Sequence, residues 1–150
     1  MSMRQEDKEL LLKDLCARLP YRVKCYIPEI NDYRVLGSIQ YDGINTLFDF
    51  WNKEQTRYEF QLYISEFRPC LFPISNITEE QRNEISRQIL NTYNKYSPYG
   101  EINPKGCDNL LMSCAFQANG IIEYFNKHNL DYRGLIPMGL ANDATGLNIY

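Results

Sequence analysis

The sequence has a single histidine, His128, and it lacks both a long apolar run and a glycine-rich phosphate-binding motif. A helix that spans a membrane needs about 20 consecutive apolar residues, and no stretch of the sequence approaches that length. Polar and charged residues dominate the start, so no apolar core of a signal peptide stands there. We therefore expect a cytoplasmic protein without a membrane anchor.

Closely spaced metal ligands are also lacking. The five cysteines are odd in number and scattered along the chain: Cys16, Cys25, Cys70, Cys107 and Cys114. The nearest pair, Cys107 and Cys114, is seven residues apart, which makes a poor chelate for zinc or an iron–sulfur cluster. The sequence therefore predicts reduced thiols, no metal and no cofactor.

Catalytic signatures are equally scarce. His128 follows the last predicted helix, and because a helix C-terminus stabilises imidazolium, the favoured interpretation is a surface capping residue. The alternative is a cysteine hydrolase in which His128 activates Cys70, Cys107 or Cys114, but sequence spacing does not bring these groups together. The sequence favours a protein that is not an enzyme.

A basic excess is absent as well, since 16 Lys and Arg residues stand against 19 Asp and Glu residues, a formal net charge of −3. Affinity for nucleic acid comes mainly from cationic side chains that neutralise phosphates, so nucleic-acid binding is disfavoured. If the protein did bind nucleic acid, the binding face would use four basic residues of the predicted sheet: Arg22, Lys24, Arg34 and Arg57. Tyr26 and Trp51 would supply stacking surfaces for bases there.

The length of 150 residues suits a single globular domain over residues 1–150, which would bury roughly 68–70% of the surface of the unfolded chain. Aromatic residues make up 13% of the sequence, which favours strands. Residues 142–150 are mostly polar, and we expect them to form a loose tail.

Apolar periodicity predicts an N-terminal helix over residues 4–18, ended by Pro20. Alternating apolar and polar residues then predict four strands, at about residues 21–27, 33–41, 44–50 and 58–64. Asp42-Gly43 between two alternating runs indicates a tight hairpin. Residues 67–72 could add a fifth strand, placed at an edge or a crossing because Pro69 has no amide to donate.

Two helices are predicted in the C-terminal half. Thr78 and Gln81 form a capping box at the start of the first, which continues to about residue 96. A long loop follows to residue 106, and residues 110–116 are either a short strand or part of a longer helix. The second helix covers about residues 120–127. The predicted fold is thus α+β, with an N-terminal helix, a four- to five-stranded antiparallel meander that could curl into a small barrel, and two C-terminal helices.

Residues 129–141 are the most distinctive stretch. Two glycines and a proline constrain its backbone, and Asp131 and Arg133 could pair across Tyr132. The pattern is typical of an ordered, shaped loop.

This stretch resembles the C-terminal segment of a large set of small proteins encoded by gut Bacteroidetes and their phages, which share the run Asp-Tyr-Arg-Gly-Leu-Ile before a Gly-Leu-Ala. Residues 11–21 and 68–80 carry the same resemblance, whereas residues 93–106 are longer and richer in tyrosine than the pattern. The resemblance implies a phage or mobile-element setting inside a host bacterial cell, and it implies no particular activity.

The sequence favours a protein that acts by binding another macromolecule, with a host or phage protein as partner and a host defence or regulatory protein as one such class. Candidate partner-binding residues lie in the long loop and in the distinctive stretch: Tyr96, Tyr99, Ile102, Asp131, Tyr132 and Arg133. Long ordered loops often carry function, and tyrosine and arginine often dominate binding energy. Alternatively, the loop aromatics pack on the domain and Asp131 to Arg133 hold the C-terminal loop in place. A nucleic-acid accessory protein or a small-ligand sensor is less favoured, and a homo-oligomer is left open.

Overall fold

The computed structural model describes residues 2–96 and 118–150. The chain divides into two compact units, one formed by Met1–Ile74 with Asn129–Tyr150 and the other by Ser75–His128. The first unit holds the N-terminal helix and the sheet, and the second holds the two later helices. These elements confirm the α+β class predicted from the sequence.

Helix α1 spans Gln5–Arg18 and confirms the predicted N-terminal helix. Acidic side chains stand in its first turn and Arg18 in its last, in agreement with the helix dipole. Pro20 follows in a 3₁₀ turn, and the chain leaves that turn through Arg22 in the left-handed region. The buried face of α1 is mixed, because Asp14 and Arg18 are buried beside Leu11 and Leu15.

Seven strands form the sheet: β1 Lys24–Ile27, β2 Asp32–Tyr41, β3 Thr46–Trp51, β4 Tyr58–Leu62, β5 Arg68–Pro73, β6 Leu130–Asp131 and β7 Asn142–Asp143. The strand order is β4-β3-β2-β1-β5-β6, and β7 also pairs with β5. Strands β1 to β4 form the predicted antiparallel meander, and β5 runs antiparallel to β1.

The predictions of four to five strands and of a small barrel are wrong. The described sheet is open, with β4 at one end of the strand order and β6 at the other. The two additional strands are only two residues long and run parallel to β5, so they leave no alternating pattern in the sequence. Their presence also places β5 inside the sheet instead of at an edge, although the parallel pairs begin at Cys70, beyond Pro69.

The hairpin between β2 and β3 turns over residues 42–45, where the Asp42 amide donates to the Asn45 carbonyl at 3.1 Å. The Asp42 carboxylate accepts the amides of Ile44 and Asn45 at 2.8 and 2.7 Å, and these bonds lower the pKa of Asp42. Gly43 has a φ of +97°, which an L side chain rarely adopts. Turn chemistry therefore fixes this hairpin, as the sequence predicts.

The core of the first unit lies between α1, the inner face of the sheet and the C-terminal segment. Phe67 is fully buried, with its ring 5.1 Å from that of Phe48 and 4.8 Å from that of Phe50. Other fully buried apolar side chains surround these rings: Leu11, Leu15, Val23, Cys25, Ile27, Leu71 and Leu135.

Residues 142–150, expected to be loose, pack along β5 in the structure. The Ala144 amide donates to the Leu71 carbonyl at 2.8 Å, and the Tyr150 hydroxyl donates to the Cys70 carbonyl at 2.7 Å. The same hydroxyl accepts the Lys24 amide at 2.9 Å, and burial raises the pKa of Tyr150. Polar composition alone did not reveal these backbone partners.

The second unit contains α2, Glu79–Tyr96, and α3, whose described residues are 118–127. The capping box is confirmed, because the Gln81 amide donates to Thr78 Oγ1 at 3.1 Å and the Thr78 amide donates to Gln81 Oε1 at 2.9 Å. Tyr124 of α3 donates to Glu84 of α2 at 3.0 Å. The prediction of strand or helix for residues 110–116 lies outside the described residues.

Substitution of Thr78 by alanine is expected to destabilise the second unit by about 0.5–2 kcal/mol, because the first turn of α2 loses a hydroxyl acceptor. Urea unfolding followed by circular dichroism at 222 nm would measure the change. Thr78→Ser retains the hydroxyl and should stay close to the wild type. Equal losses in the alanine and serine variants would show that the cap does not stabilise the helix.

Candidate functional site

Parts of all three segments that carry the sequence resemblance lie in the first unit and meet there. Arg18 of α1 donates to the Leu130 carbonyl at 2.7 Å, Phe72 donates its amide to the Asn129 carbonyl at 2.8 Å, and Arg68 donates to the Gly139 carbonyl at 3.2 Å. Residues 11–21, 68–74 and 129–141 of the first unit thus form one contact region, which we term the C-terminal junction.

A buried ion pair lies at the centre of the C-terminal junction. Arg18 donates to both carboxylate oxygens of Asp14, at 2.8 and 3.2 Å, and neither side chain is exposed. Arg133 Nε lies 3.3 Å from Asp14 Oδ1 without a hydrogen-bonding angle. The Tyr132 ring lies 5.5 Å from the Arg18 guanidinium and 4.9 Å from that of Arg133.

The loop that follows β6 is shaped by Asp131. Its Oδ1 accepts the Leu135 amide and its Oδ2 accepts the Ile136 amide, both at 2.8 Å. Gly134 and Gly139 have φ values of +73°, which confirms the expected backbone role of these glycines. The suggested Asp131–Arg133 pair is absent, because Arg133 reaches Asp14 and Asp131 is occupied by backbone amides.

The six candidate partner-binding residues are therefore placed differently. Asp131 is buried, and Tyr132 and Arg133 are half-buried in the C-terminal junction. Tyr99, Ile102 and the side chain of Tyr96 lie outside the described residues. The contacts of Asp131 and Arg133 fit the structural interpretation of this segment.

The four basic residues of the alternative nucleic-acid face do not form one open surface. Arg34 is 9% exposed and pairs with Asp32 at 2.7 Å and Glu59 at 3.2 Å. The Lys24 ammonium donates a hydrogen bond to the Ile149 carbonyl, and Lys24 lines a cavity of about 280 Å³ together with Arg34. Arg22 and Arg57 are exposed. Two of the four cations are thus already engaged within the protein.

A larger groove of about 630 Å³ lies on the first unit, and we term it the α1 groove. Helix α1 contributes Gln5, Lys8, Glu9 and Leu12; the hairpin contributes Ile44, Asn45 and Thr46; and residues 63–66 form the third wall. The volume falls within the usual range of binding clefts.

Two ordered turns hold exposed apolar side chains at the α1 groove. Ile44 is 84% exposed at the hairpin that Asp42 caps, and Tyr63 is 50% exposed. Tyr63 lies in a turn in which its amide donates to the Glu66 carboxylate at 2.6 Å and its carbonyl accepts the Glu66 amide at 3.0 Å. The sequence pattern predicts that Ile44 begins a strand, whereas β3 begins at Thr46 and Ile44 lies in the turn. An apolar residue within the turn sequence Asp-Gly-Ile-Asn is the signal that marks Ile44 as a candidate contact residue.

Cys25 and Cys70 are buried and, among the described residues, have no feature that would activate their thiols. Burial raises the pKa of Cys70 to about 11 and raises that of Cys25, so both thiols stay protonated at neutral pH. The His128 ring stacks on Tyr124 with 4.2 Å between centroids. Cys107 and Cys114 lie outside the described residues.

Within residues 2–96 and 118–150, no three His, Cys, Asp or Glu side chains gather closely enough to hold a metal ion. The helices of this part of the chain are too short or too polar to cross a membrane.

Comparisons with protein-family models, with curated proteins and with solved structures found no match to this chain. The described helices and strands therefore provide the classification: an α+β protein with an open mixed sheet and a groove beside the N-terminal helix, with apolar side chains at its rim.

Proposed function

We propose that this protein acts by binding another protein through the α1 groove, in the setting of a phage or mobile element that the resemblance implies. A host defence or regulatory protein is the proposed class of partner. The observation that carries the proposal is the 84% exposure of Ile44 on a turn whose backbone is fixed by Asp42.

The exposed position of Ile44 is unfavourable in the free protein, because burying a large aliphatic side chain would stabilise it by about 1.5–3 kcal/mol. An ordered turn that presents such a side chain beside a groove is suited to a partner that covers it. Tyr63, which also lines the groove, adds an aromatic ring with a polar hydroxyl, and tyrosine is frequent at binding hot spots.

Charge narrows the kind of segment that the α1 groove would accept. Glu9 and Glu66 line it against a single cation, Lys8. The proposed occupant is a protein segment that places an apolar side chain between Ile44 and Tyr63 and a lysine or arginine near the two glutamates. An acidic side chain of the partner at that position would be repelled by Glu9 and Glu66.

Ile44→Asp is expected to weaken binding of the partner by about 30-fold or more, since loss of a hot-spot side chain costs about 2 kcal/mol or more. A pull-down from host-cell lysate with mass-spectrometric readout would supply the partner, and titration calorimetry with the purified partner would measure the loss.

The matched control is Leu147→Asp, which changes another exposed aliphatic residue, 39% exposed, outside the α1 groove. It should bind like the wild type. Folded Tyr132→Ala and Arg133→Ala variants should also retain binding. Loss of partner binding in either variant would place the site at the C-terminal junction instead. A partner that binds Ile44→Asp and the wild type equally would refute the α1 groove as the site.

A further inference from the structure

The outer face of the sheet carries a row of polar side chains that the proposed function does not use. Strand pairing sets Ser38 opposite Asp49 and Asp49 opposite Gln61, so β2, β3 and β4 contribute to one row on one face. The neighbouring residues of β3, Phe48 and Phe50, point to the opposite face and are fully buried. We term Ser38, Gln40, Asp49, Trp51, Tyr58 and Gln61 the outer-face patch.

Asp49 organises the polar half of the outer-face patch. Its Oδ2 accepts hydrogen bonds from the Ser38 hydroxyl and the Gln40 carboxamide, and its Oδ1 accepts one from Gln61 Nε2 at 3.0 Å. Asp49 is 4% exposed and has no ion pair among the described residues. A carboxylate held only by neutral donors is costly to bury, which favours a role beyond strand pairing.

The hydrogen bonds to Asp49 also fix the orientation of two carboxamides. Only the NH₂ group of glutamine can donate to a carboxylate, so the carbonyl oxygens of Gln40 and Gln61 are turned away from Asp49. Both side chains are exposed, and neither carbonyl oxygen has a partner among the described residues. The patch therefore presents two oriented acceptors to a ligand that offers hydrogen-bond donors.

An aromatic pair forms the other half of the outer-face patch. The Trp51 and Tyr58 rings lie 4.4 Å apart at a tilt of 41°, and Tyr58 is 46% exposed. They rest on Gly37, where a Cβ atom would lie 2.4 Å from Tyr58 Cε1 and 2.6 Å from Trp51 Nε1. A glycine at this β-bulge thus leaves room for both rings to lie against the sheet.

We propose that the outer-face patch binds a neutral saccharide. A sugar ring has polarised C–H groups on its faces, which the negative face of an aromatic ring attracts, and hydroxyl donors around its rim. Trp51 and Tyr58 would stack on the ring while Gln40 and Gln61 accept its hydroxyls. A nucleic acid fits less well, because the patch has a carboxylate at its centre, presents carbonyl acceptors outward and contains no cation to pair with a phosphate.

Trp51 is the only tryptophan of the chain, so intrinsic fluorescence reports on this patch directly. Titration with cellohexaose, maltohexaose and chitohexaose at millimolar concentrations should produce a saturable change in emission with at least one of them. Tyr58→Ala keeps the reporter and should weaken that affinity about tenfold, because it removes one stacking ring.

Gln40→Ala/Gln61→Ala should remove the response, whereas Gln5→Ala, a glutamine of α1, should keep it. Ile44→Asp should also keep it, which separates this site from the α1 groove. The proposal is overturned if none of the three oligosaccharides changes the emission, if the double glutamine variant responds like the wild type, or if a deoxythymidine decamer is bound instead.

Discussion

Replacement of Asp14 by alanine is expected to lower the free energy of unfolding by about 3–5 kcal/mol, the usual cost of removing one partner from a buried ion pair. Asp14 and Arg18 have no exposed side-chain surface, and Arg18 donates two hydrogen bonds to this carboxylate. The substitution would leave the Arg18 guanidinium buried with the Leu130 carbonyl as a hydrogen-bond acceptor but without its carboxylate. Arg133 would lose the same carboxylate.

Chemical denaturation monitored by circular dichroism would measure this loss. Glu9→Ala is the matched control, because it removes an exposed carboxylate of the same helix and should change stability by less than about 0.5 kcal/mol. The double variant Asp14→Leu/Arg18→Met should recover much of the stability, since buried ion pairs can often be replaced by apolar side chains of similar volume. Equal stability of Asp14→Ala and Glu9→Ala would contradict the energetic role of the pair.

The second large effect is expected at Asp131, where alanine should cost about 2–6 kcal/mol for the loss of two amide–carboxylate hydrogen bonds. The carboxylate accepts the amides of Leu135 and Ile136, and each buried donor left without an acceptor costs about 1–3 kcal/mol. The same bonds hold Leu135, which is fully buried in the core. The loop and the core should therefore loosen together in this variant.

Thermal and urea unfolding of Asp131→Ala would measure the effect. Asp143→Ala provides a close comparison, because Asp143 also accepts a backbone amide, that of Thr145 at 2.8 Å, but is exposed. It should lose less than about 1 kcal/mol, since water can replace the lost acceptor. Asp131→Asn keeps one acceptor oxygen and should fall between the two, and an Asp131→Ala variant as stable as Asp143→Ala would refute this assignment.

The contacts of Asp131 and Arg133 decide how the distinctive C-terminal stretch is interpreted. Asp131 and Arg133 attract attention in the sequence as candidates for partner binding, yet their contacts tie the loop to itself and to α1. A structural role accounts for both residues without a partner. Two exposed side chains on which the proposed sites depend, Ile44 and Tyr58, lie elsewhere on the first unit.

Local patterns identified much of the fold. Helix α1, strands β1 to β5 and the start of α2 were predictable because periodicity, capping residues and turn residues act within a few positions of one another. The Thr78–Gln81 capping box and the turn at Asp42-Gly43 have the expected hydrogen bonds. The candidate sites were much less predictable, since neither the α1 groove nor the outer-face patch is contiguous in the chain.

The sequence by itself determined the α+β class, the antiparallel meander and the glycine-dependent shape of residues 129–141, because each depends on short-range backbone preferences. Only the tertiary structure decided that Asp14 and Arg18 are buried, since their i,i+4 spacing is equally typical of a solvent-exposed pair. It likewise decided the strands β6 and β7, whose hydrogen-bond partners lie 58 or more residues away in β5. Long-range pairing of this kind depends on which surfaces meet after the chain collapses, and a local pattern carries no record of that.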